Sequence, residues 1–461
     1  MFERGQRKIH LIGIGGYGMS AIASILIDKG YDVTGSDLNK SKLVESLLDK
    51  GAKVFIGHKS EQVELADVVI YSTAIPDSNP ELIEAKNRKL PLYHRSEVLA
   101  MILNSGQGIA VAGAHGKTST TSMISFLLEK GDKDPTALIG GELGEFKGNA
   151  RLGESGIVVA EACESDHSFL RYRPEIAVIT NIEADHLEHY DGDFSKLLST
   201  YKDFLNNLAS DGKAIIFGDD QYIREVTSGT EKKLITYGLA EENDYYPQNI
   251  EYKDKGSFFD LYHRGKKLGK IELSVPGLHN ILNAISSAVV ALEVGVNFSI
   301  ISKVFKGFGG AKRRFQIIHR DRNYFIVDDY AHHPTEIKAT LQAAKEINHR
   351  RLVAIFQPQR YSRTYYFYDE FASSFENADE VIIADIYTAG EEPIQGVSSE
   401  GLAEKINRTG TNAKYIGTNA DIINELRTKI KPGDLVITMG AGDIWKVSHE
   451  IGSMLKEKKV V

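Results

Sequence analysis

Residues 109–121 read IAVAGAHGKTSTT, and the fold follows from them. Ile109 to Ala112 is a short apolar strand, Gly113 and Gly116 punctuate the loop after it, and a Thr/Ser run opens a helix. An apolar strand that turns through glycine into a helix is one step of a parallel α/β sheet. The same step recurs upstream, where Lys8 to Ile12 (KIHLI), Asp32 to Thr34 and Val68 to Tyr71 (VVIY) look like strands and Tyr17 to Lys29 has helical spacing. It recurs downstream at Gly156 to Ala160 (GIVVA), Ile176 to Thr180 (IAVIT) and Ala214 to Phe217. Between about Leu234 and Ser274 the pattern becomes short alternating segments, ITYG, FFDLYH and KIELSV, which suggest a small antiparallel sheet within or beside the second domain. A helix is expected over Asn280 to Gly295, a glycine-rich hinge at Gly307 to Phe315 (GFGGAKRRF), and a last α/β set at Phe325 to Asp328, Leu352 to Phe356, Val381 to Ala384 and Leu435 to Thr438. The expected domains are 1–105, 106–310 and 311–461.

Length agrees, since 461 residues at roughly 150 per domain give about three, and 42% hydrophobic residues supply each with a core. Lys and Arg total 55 against 63 Asp and Glu, a net charge of −8 that disfavours binding to a nucleic-acid backbone. The single cysteine, Cys163, cannot pair within the chain, and no apolar run approaches the ~18 residues of a membrane span. No export signal is visible at the N-terminus. A cytoplasmic protein without a membrane or nucleic-acid partner is the expectation.

Two loops have the chemistry of phosphate binding. Gly13-Ile14-Gly15-Gly16-Tyr17-Gly18 is a G-x-G-x-x-G between strand and helix, with Asp37 after the second strand placed to receive a ribose hydroxyl. From these residues alone NAD, another dinucleotide-like ligand and a ligand-free turn all stay open. Gly113-Ala114-His115-Gly116-Lys117-Thr118 is a shortened P-loop, with Val111 where a full Walker A motif has its first glycine. Its backbone amides can cradle phosphates, Lys117 can reach β/γ oxygens, and the Thr118 hydroxyl can bind Mg²⁺. ATP is therefore the expected ligand of this loop. Mg²⁺ needs further oxygen or nitrogen ligands from strand ends beside it. Glu161 closes GIVVA, and Asn181, Asp185 and His186 follow IAVIT; Glu161 and His186 are the chosen candidates, against a helix-cap carboxylate and a structural histidine.

In order along the chain stand GIGGYGMS, GAHGKTSTT, EACESD, TNIEADH, GLHNILNA, RRF, DDYAHHPTE, FQPQRYSRT and MGAGDIWKV. This series resembles the Mur ligase family over nearly the whole chain, and within it the alanine-adding branch. The resemblance implies a Rossmann-like UDP-binding domain, a central P-loop domain for ATP and Mg²⁺, and a C-terminal Rossmann-like domain for the amino acid. It reassigns the first glycine loop from NAD to a UDP-sugar, with Gly15, Gly16, Gly18, Asp37, Ser72 and Thr73 at that site. It implies ATP-driven joining of L-alanine to the lactyl carboxylate of UDP-N-acetylmuramate through an acyl phosphate, in peptidoglycan precursor synthesis, by a monomer or homodimer.

By the same resemblance Gly113, His115, Gly116, Lys117, Thr118 and Ser119 hold the triphosphate, and Thr118, Glu161 and His186 hold the metals. His279 and Asn280 contact the adenine region, Arg314 a phosphate and Asp329 the nucleotide ribose. Tyr330, His332, Arg360 and Arg363 line the alanine site, where an arginine fork suits the free carboxylate. Lys117, Glu161, His186 and Arg360 are the expected catalytic group.

Four residues depart from the family pattern: Ala114 for Thr, Cys163 for Asp, Ala331 for Gly and Gln359 for His. Relatives that add later amino acids carry a carbamylated lysine, for which Lys202 is the nearest candidate. The competing readings are the recycling branch that attaches a whole tripeptide, an NAD-linked oxidoreductase, and a non-catalytic nucleotide-binding switch.

Overall fold

The computed structural model describes residues 1–3, 5–253 and 256–457. Three α/β sheets follow one another along the chain. The first holds β1 (Lys8–Ile12), β2 (Asp32–Asp37), β3 (Lys53–Ile56), β4 (Val68–Tyr71) and β5 (Leu92–His94), all parallel, in the order β3-β2-β1-β4-β5. The order reverses beside β1, so the glycine loop that leaves β1 lies at the switch point where open α/β sheets bind ligands.

The second sheet comprises β6 (Gln107–Ala112), β7 (Thr136–Leu143), β8 (Gly148–Arg151), β9 (Ile157–Glu161), β10 (Ile176–Ile179), β11 (Lys213–Phe217), β12 (Lys233–Tyr237), β13 (Tyr245–Lys253), β14 (Gly256–His263) and β15 (Lys266–Leu273). Its order is β15-β14-β13-β12-β11-β10-β6-β9-β7-β8. β6 is central and pairs in parallel with β9 and β10, so the P-loop leaves the middle of the sheet. The third sheet is β16 (Gln316–Arg320), β17 (Tyr324–Asp329), β18 (Arg351–Phe356), β19 (Glu380–Ala384), β20 (Ala413–Gly417) and β21 (Asp434–Met439), in the order β16-β17-β21-β18-β19-β20 with only β16 antiparallel.

The buried strands are those the sequence marks. Ile109 to Ala112, Ile176 to Ile179 and Leu435 to Ile437 are fully or almost fully buried, as expected of strands covered by helices on both faces. In the segment after Leu234 it is ITYG that differs from expectation. β12 pairs in parallel with β11 through Phe217↔Tyr237, so ITYG belongs to the main sheet. The two later strands, β14 and β15, joined by the tight turn at Arg264 and Gly265, lie within the domain and extend that same sheet.

The chain divides into two compact units. One is Met1–Gln248 with Asp260–Ile271 and Leu282–Phe308; the other is Asn249–Phe259 with Glu272–Ile281 and the chain from Gly309. The glycine-rich stretch foreseen as a hinge lies where the first unit gives way to the second. No helix among the described residues is long and apolar enough to cross a membrane.

Candidate active site

In the first unit the P-loop leaves β6 and enters the helix Lys117–Lys130. Gly113 (φ +133°) and Gly116 (φ +84°) take the left-handed backbone that glycine tolerates. A Cβ on Gly113 would lie 2.1 Å from Thr180 Oγ1, and one on Gly116 would lie 2.7 Å from Asn283 Oδ1. The loop is held from β10: the Ala114 amide donates to the Asn181 carbonyl (3.2 Å), the His115 amide to Asn181 Oδ1 (2.9 Å), and Thr180 Oγ1 to the His115 carbonyl (2.6 Å). Ala114 is engaged only through its backbone amide in that set, so its replacement of Thr leaves the cradle unchanged. The helix start adds unsatisfied N–H groups and positive dipole, the ordinary receptor for a phosphate chain.

Lys117 Nζ donates to the carbonyls of Gly113 and Ala114 and to both oxygens of Glu164, at 2.9 and 3.0 Å. Burial opposes the ammonium charge, but Glu164, with Cys163 and Glu161 behind it, holds its pKa above the usual lysine value. Glu164 is itself buried. Sequence reading passed over it, although EACESD places it three residues beyond Glu161. Cys163 lies beside this pair, its Sγ 3.0 Å from Ser165 Oγ, and burial pushes its thiol up.

Thr118 and Glu161 meet the same short stretch of β7. The Gly140 amide donates to Glu161 Oε1 (2.6 Å), and a Cβ on Gly141 would lie 3.1 Å from Thr118 Cγ2. His186 stands in the loop after β10 in a left-handed conformation (φ 57°), and its ion-pair partners are Asp185 (3.6 Å) and Glu188 (3.7 Å). The ring pulls the Glu188 carboxyl down to about 2. Thr118, on the helix, and Glu161, at the end of β9, are thus both set against β7, while His186 is held by its own loop. His115 Nε2 faces Glu183 at 3.3 Å. Ser119 follows Thr118 into the first turn. Lys202 is exposed on the helix Phe194–Asn206.

The first glycine loop is built as the sequence predicts. Gly16 precedes the helix Tyr17–Asp28, the Gly15 amide donates to Asp37 Oδ2 (2.9 Å), and a Cβ on Gly15 would lie 2.9 Å from both Asp37 Oδ2 and Val44 Cγ2. Asp37 therefore orients the loop. Arg95 was not foreseen: its side chain covers Gly18, whose added Cβ would lie 3.0 Å from Arg95 Cδ, and its guanidinium is 3.6 Å from Asp166. Thr73 Oγ1 is 3.3 Å from His94 Nε2, and Ser72 begins the turn after β4. Burial, aided by Arg95, lowers the His94 pKa.

The second unit gathers another predicted set. Burial outweighs the Arg314 charge and raises the Asp329 carboxyl to about 6, although it accepts from the Phe315 and Ala331 amides, both at 2.7 Å. Burial lowers the His279 imidazole to about 4, with Glu336 opposing and Arg314 reinforcing. The two neighbouring arginines separate in role. Arg313 is spent on Asp328 (3.0 Å) and on the carbonyls of Gly440 (2.6 Å) and Gly442 (3.1 Å), whereas Arg314 stands 3.8 Å from Glu336. Tyr330 lies between them, its ring centre 5.1 and 5.0 Å from the two guanidiniums. His332 Nδ1 is 3.0 Å from the Tyr330 carbonyl and 3.2 Å from Glu336, which also accepts from the His332 and His333 amides.

Asn280 donates to the Pro276 carbonyl at 2.7 Å, so its side-chain amide caps its own turn. In the first unit, Asn283, three residues on, receives the Thr120 hydroxyl at 3.2 Å and abuts Gly116. Sequence reading missed it, although its spacing from Asn280 puts the two on neighbouring faces of one helix.

Arg360 is exposed, with φ +66° just before the helix Tyr361–Tyr366; Arg363 is half-buried within that helix. Phe367 packs on His333 with ring centres 4.6 Å apart, which sets this helix beside the Tyr330–His333 turn. Ala331 has an ordinary backbone and needs no glycine there.

Family models match along the chain: the Mur ligase family catalytic domain over residues 8–107, the Mur ligase middle domain over 111–291, and the Mur ligase glutamate ligase domain over 313–442. UDP-N-acetylmuramate–L-alanine ligase of Geotalea uraniireducens is 46% identical over 450 residues, covering 97% of this chain and 98% of that one. The enzyme of the same name from Pelotomaculum thermopropionicum is 46% identical over 458 residues, covering 99% of each. Among solved structures, UDP-N-acetylmuramate-alanine ligase from Thermotoga maritima superposes with a TM-score of 0.85 at 28% identity, covering 98% of this chain and 99% of that one. A murein peptide ligase from Psychrobacter arcticus has a TM-score of 0.71 at 26% identity, covering 97% and 98%. With three matched domains in the family's order, a glycine loop between strand and helix in each of the first two, and relatives aligned from end to end, this chain belongs to the Mur ligase family of ATP-dependent ligases.

Proposed function

We propose that this enzyme joins L-alanine to the lactyl carboxylate of UDP-N-acetylmuramate, with ATP converted to ADP and phosphate, in the cytoplasmic stage of peptidoglycan precursor synthesis. The observation that carries the reading is the full-length 46% identity to alanine-adding ligases combined with a P-loop whose lysine is in place. The murein peptide ligase superposes less closely, which favours alanine over a tripeptide as acceptor.

A carboxylate is a poor electrophile, so the reaction begins with its oxygen attacking the γ-phosphorus and ADP leaving. The amine of L-alanine then attacks the acyl carbon, loses a proton, and expels phosphate. Little covalent work falls to the protein; positioning and charge do most of it. Lys117 would leave Glu164 to neutralise the β/γ oxygens, and the amides from Gly116 to Ser119 at the helix start would cradle the chain, in a loop whose Ala114 and His115 amides are held by Asn181. The hydroxyl of Thr118, the carboxylate of Glu161 and the imidazole of His186 suit Mg²⁺, which takes mainly oxygen donors and supplies charge neutralisation at the transferring phosphoryl group. Thr118 and Glu161 lying against adjacent glycines of β7 support that choice.

The UDP-sugar is assigned to Gly15, Gly16, Gly18, Asp37, Ser72 and Thr73, with Arg95 over Gly18 as the cation for its diphosphate. His279, Asn280, Arg314 and Asp329 are assigned to the nucleotide and Tyr330, His332, Arg360 and Arg363 to alanine, where Arg360 is an exposed guanidinium suited to a carboxylate. Domain boundaries near 105 and 310 fit the family matches and the change of unit after Phe308. A monomer or homodimer is proposed.

The test is product analysis with carboxylate-¹⁸O-labelled UDP-N-acetylmuramate, Mg-ATP and L-alanine. The expected result is the alanyl amide with one ¹⁸O in the released phosphate; phosphate free of label would refute the acyl-phosphate route.

A further inference from the structure

We propose that Glu81, held by His10 and His58, is a positioning residue for the UDP-sugar, acting through Ser36 on the loop Gly13 to Gly18. This rests on the assignment of that loop in the proposed function.

The cluster lies inside the first sheet. Along β1, Ile9 and Leu11 face one apolar cluster and Ile12 another, so alternation points His10 with Ile12 toward the helix Pro80–Asn87. His10 and Glu81 have no exposed side-chain surface, and His58 has 15%. His10 Nε2 is 2.6 Å from Glu81 Oε2, and His58 Nδ1 is 2.6 Å from Glu81 Oε1. Each ring thus faces one carboxylate oxygen, and the Thr34 hydroxyl, 2.8 Å from His10 Nδ1, completes the His10 ring. Glu81 opens its helix, where Asn79 accepts from the Glu81 and Leu82 amides and the helix dipole favours negative charge.

The connection to the ligand loop is Ser36. Its hydroxyl donates to Glu81 Oε2 at 2.9 Å, and its carbonyl accepts the amides of Gly13 (2.8 Å) and Ile14 (2.9 Å). The next residue, Asp37, accepts the Gly15 amide at 2.9 Å. Three successive loop amides are therefore fixed by two residues whose strand is anchored on Glu81, and the start of the helix Tyr17–Asp28 is presented to the diphosphate. Apolar side chains of the same volume would fill such a core at equal or better stability. Buried, fully connected charge instead specifies one geometry, and the geometry it specifies here is that of the loop.

Three variants test this in the full-length enzyme: Glu81→Gln, Ser36→Ala and Gly15→Ala, each assayed for kcat, for KM of all three substrates and for melting temperature. Glu81→Gln and Ser36→Ala are expected to raise the KM for UDP-N-acetylmuramate roughly tenfold, the scale of one lost charge-assisted hydrogen bond. The KM values for ATP and L-alanine should stay within about twofold. A lower melting temperature with an unchanged UDP-sugar KM, or three KM values rising together, would overturn the proposal. Ser36→Ala removes only a hydroxyl and decides the matter if Glu81→Gln does not fold. If Gly15→Ala alone raises the UDP-sugar KM, the loop assignment stands and this inference fails. If none of the three does, the loop assignment fails with it.

Discussion

Glu164→Gln should make the enzyme less stable yet bind nucleotide more tightly. Lys117 Nζ contacts both Glu164 oxygens, at 2.9 and 3.0 Å, with side-chain exposures of 15% for the lysine and 3% for the glutamate. Hydrogen bonds to charged groups contribute about 1.5–3 kcal/mol each, and glutamine keeps one acceptor, so the loss is about 2 kcal/mol. The carbonyls of Gly113 and Ala114 still receive the lysine and prevent the larger penalty of a stranded buried charge. A melting temperature lower by about 4 °C follows for a unit of this size. Lys117 must leave Glu164 to reach the β/γ phosphates, and that cost disappears in the variant along with a negative charge beside the phosphate site. ADP affinity should rise about tenfold, the equivalent of 1.4 kcal/mol. Calorimetric titration with ADP, with and without Mg²⁺, measures it. Weaker binding in the variant would mean instead that Glu164 supports the bound state.

Lys117→Ala should abolish ADP release while leaving UDP-sugar affinity within about twofold, since the two loops leave different sheets; equal loss of both would contradict the division of labour. Arg360→Lys should raise the KM for L-alanine about tenfold by removing the planar fork, with the ATP KM as internal control. His279 and Asp329 have opposite pH signatures. His279, lowered to about 4, contributes stability that is lost as pH falls from about 6.5 toward 4, whereas Asp329, raised to about 6, makes the fold more stable as pH falls through that value. His279→Gln should therefore gain stability relative to the parent on acidification, about 1–2 kcal/mol by pH 5; parallel melting curves from pH 7 to 5 would count against the burial of a neutral imidazole.

Parallel strands buried on both faces announce themselves as apolar runs, which is why KIHLI, VVIY, GIVVA and IAVIT could be placed to within a residue or two. Most of the strands that escaped are sheet edges with polar residues among them, β3 (KVFI), β5 (LYH), β8 (GNAR), β16 (QIIHR) and β20 (AKYIG); the inner strand β7 (TALIGGEL) escaped because Gly140 and Gly141 interrupt its apolar run. The hairpin strands after β12 alternate like an independent sheet, and only pairing shows that they prolong the central one. Glycine loops were legible because each needs residues without Cβ at fixed spacing. Glu164, Asn283 and Arg95 were not, because their meaning lies in partners far along the chain: Lys117, Thr120 and Gly18. The His10–Glu81–His58 cluster is hidden for the same reason, its members falling on a strand, a helix and a loop that only the fold brings together.

The most direct test is ADP release by the purified enzyme with Mg-ATP and UDP-N-acetylmuramate, adding in turn L-alanine, D-glutamate and the L-Ala-γ-D-Glu-diamino-acid tripeptide. Release is expected with L-alanine and with neither of the other two. Release only with the tripeptide would contradict that expectation and place the chain in the recycling branch.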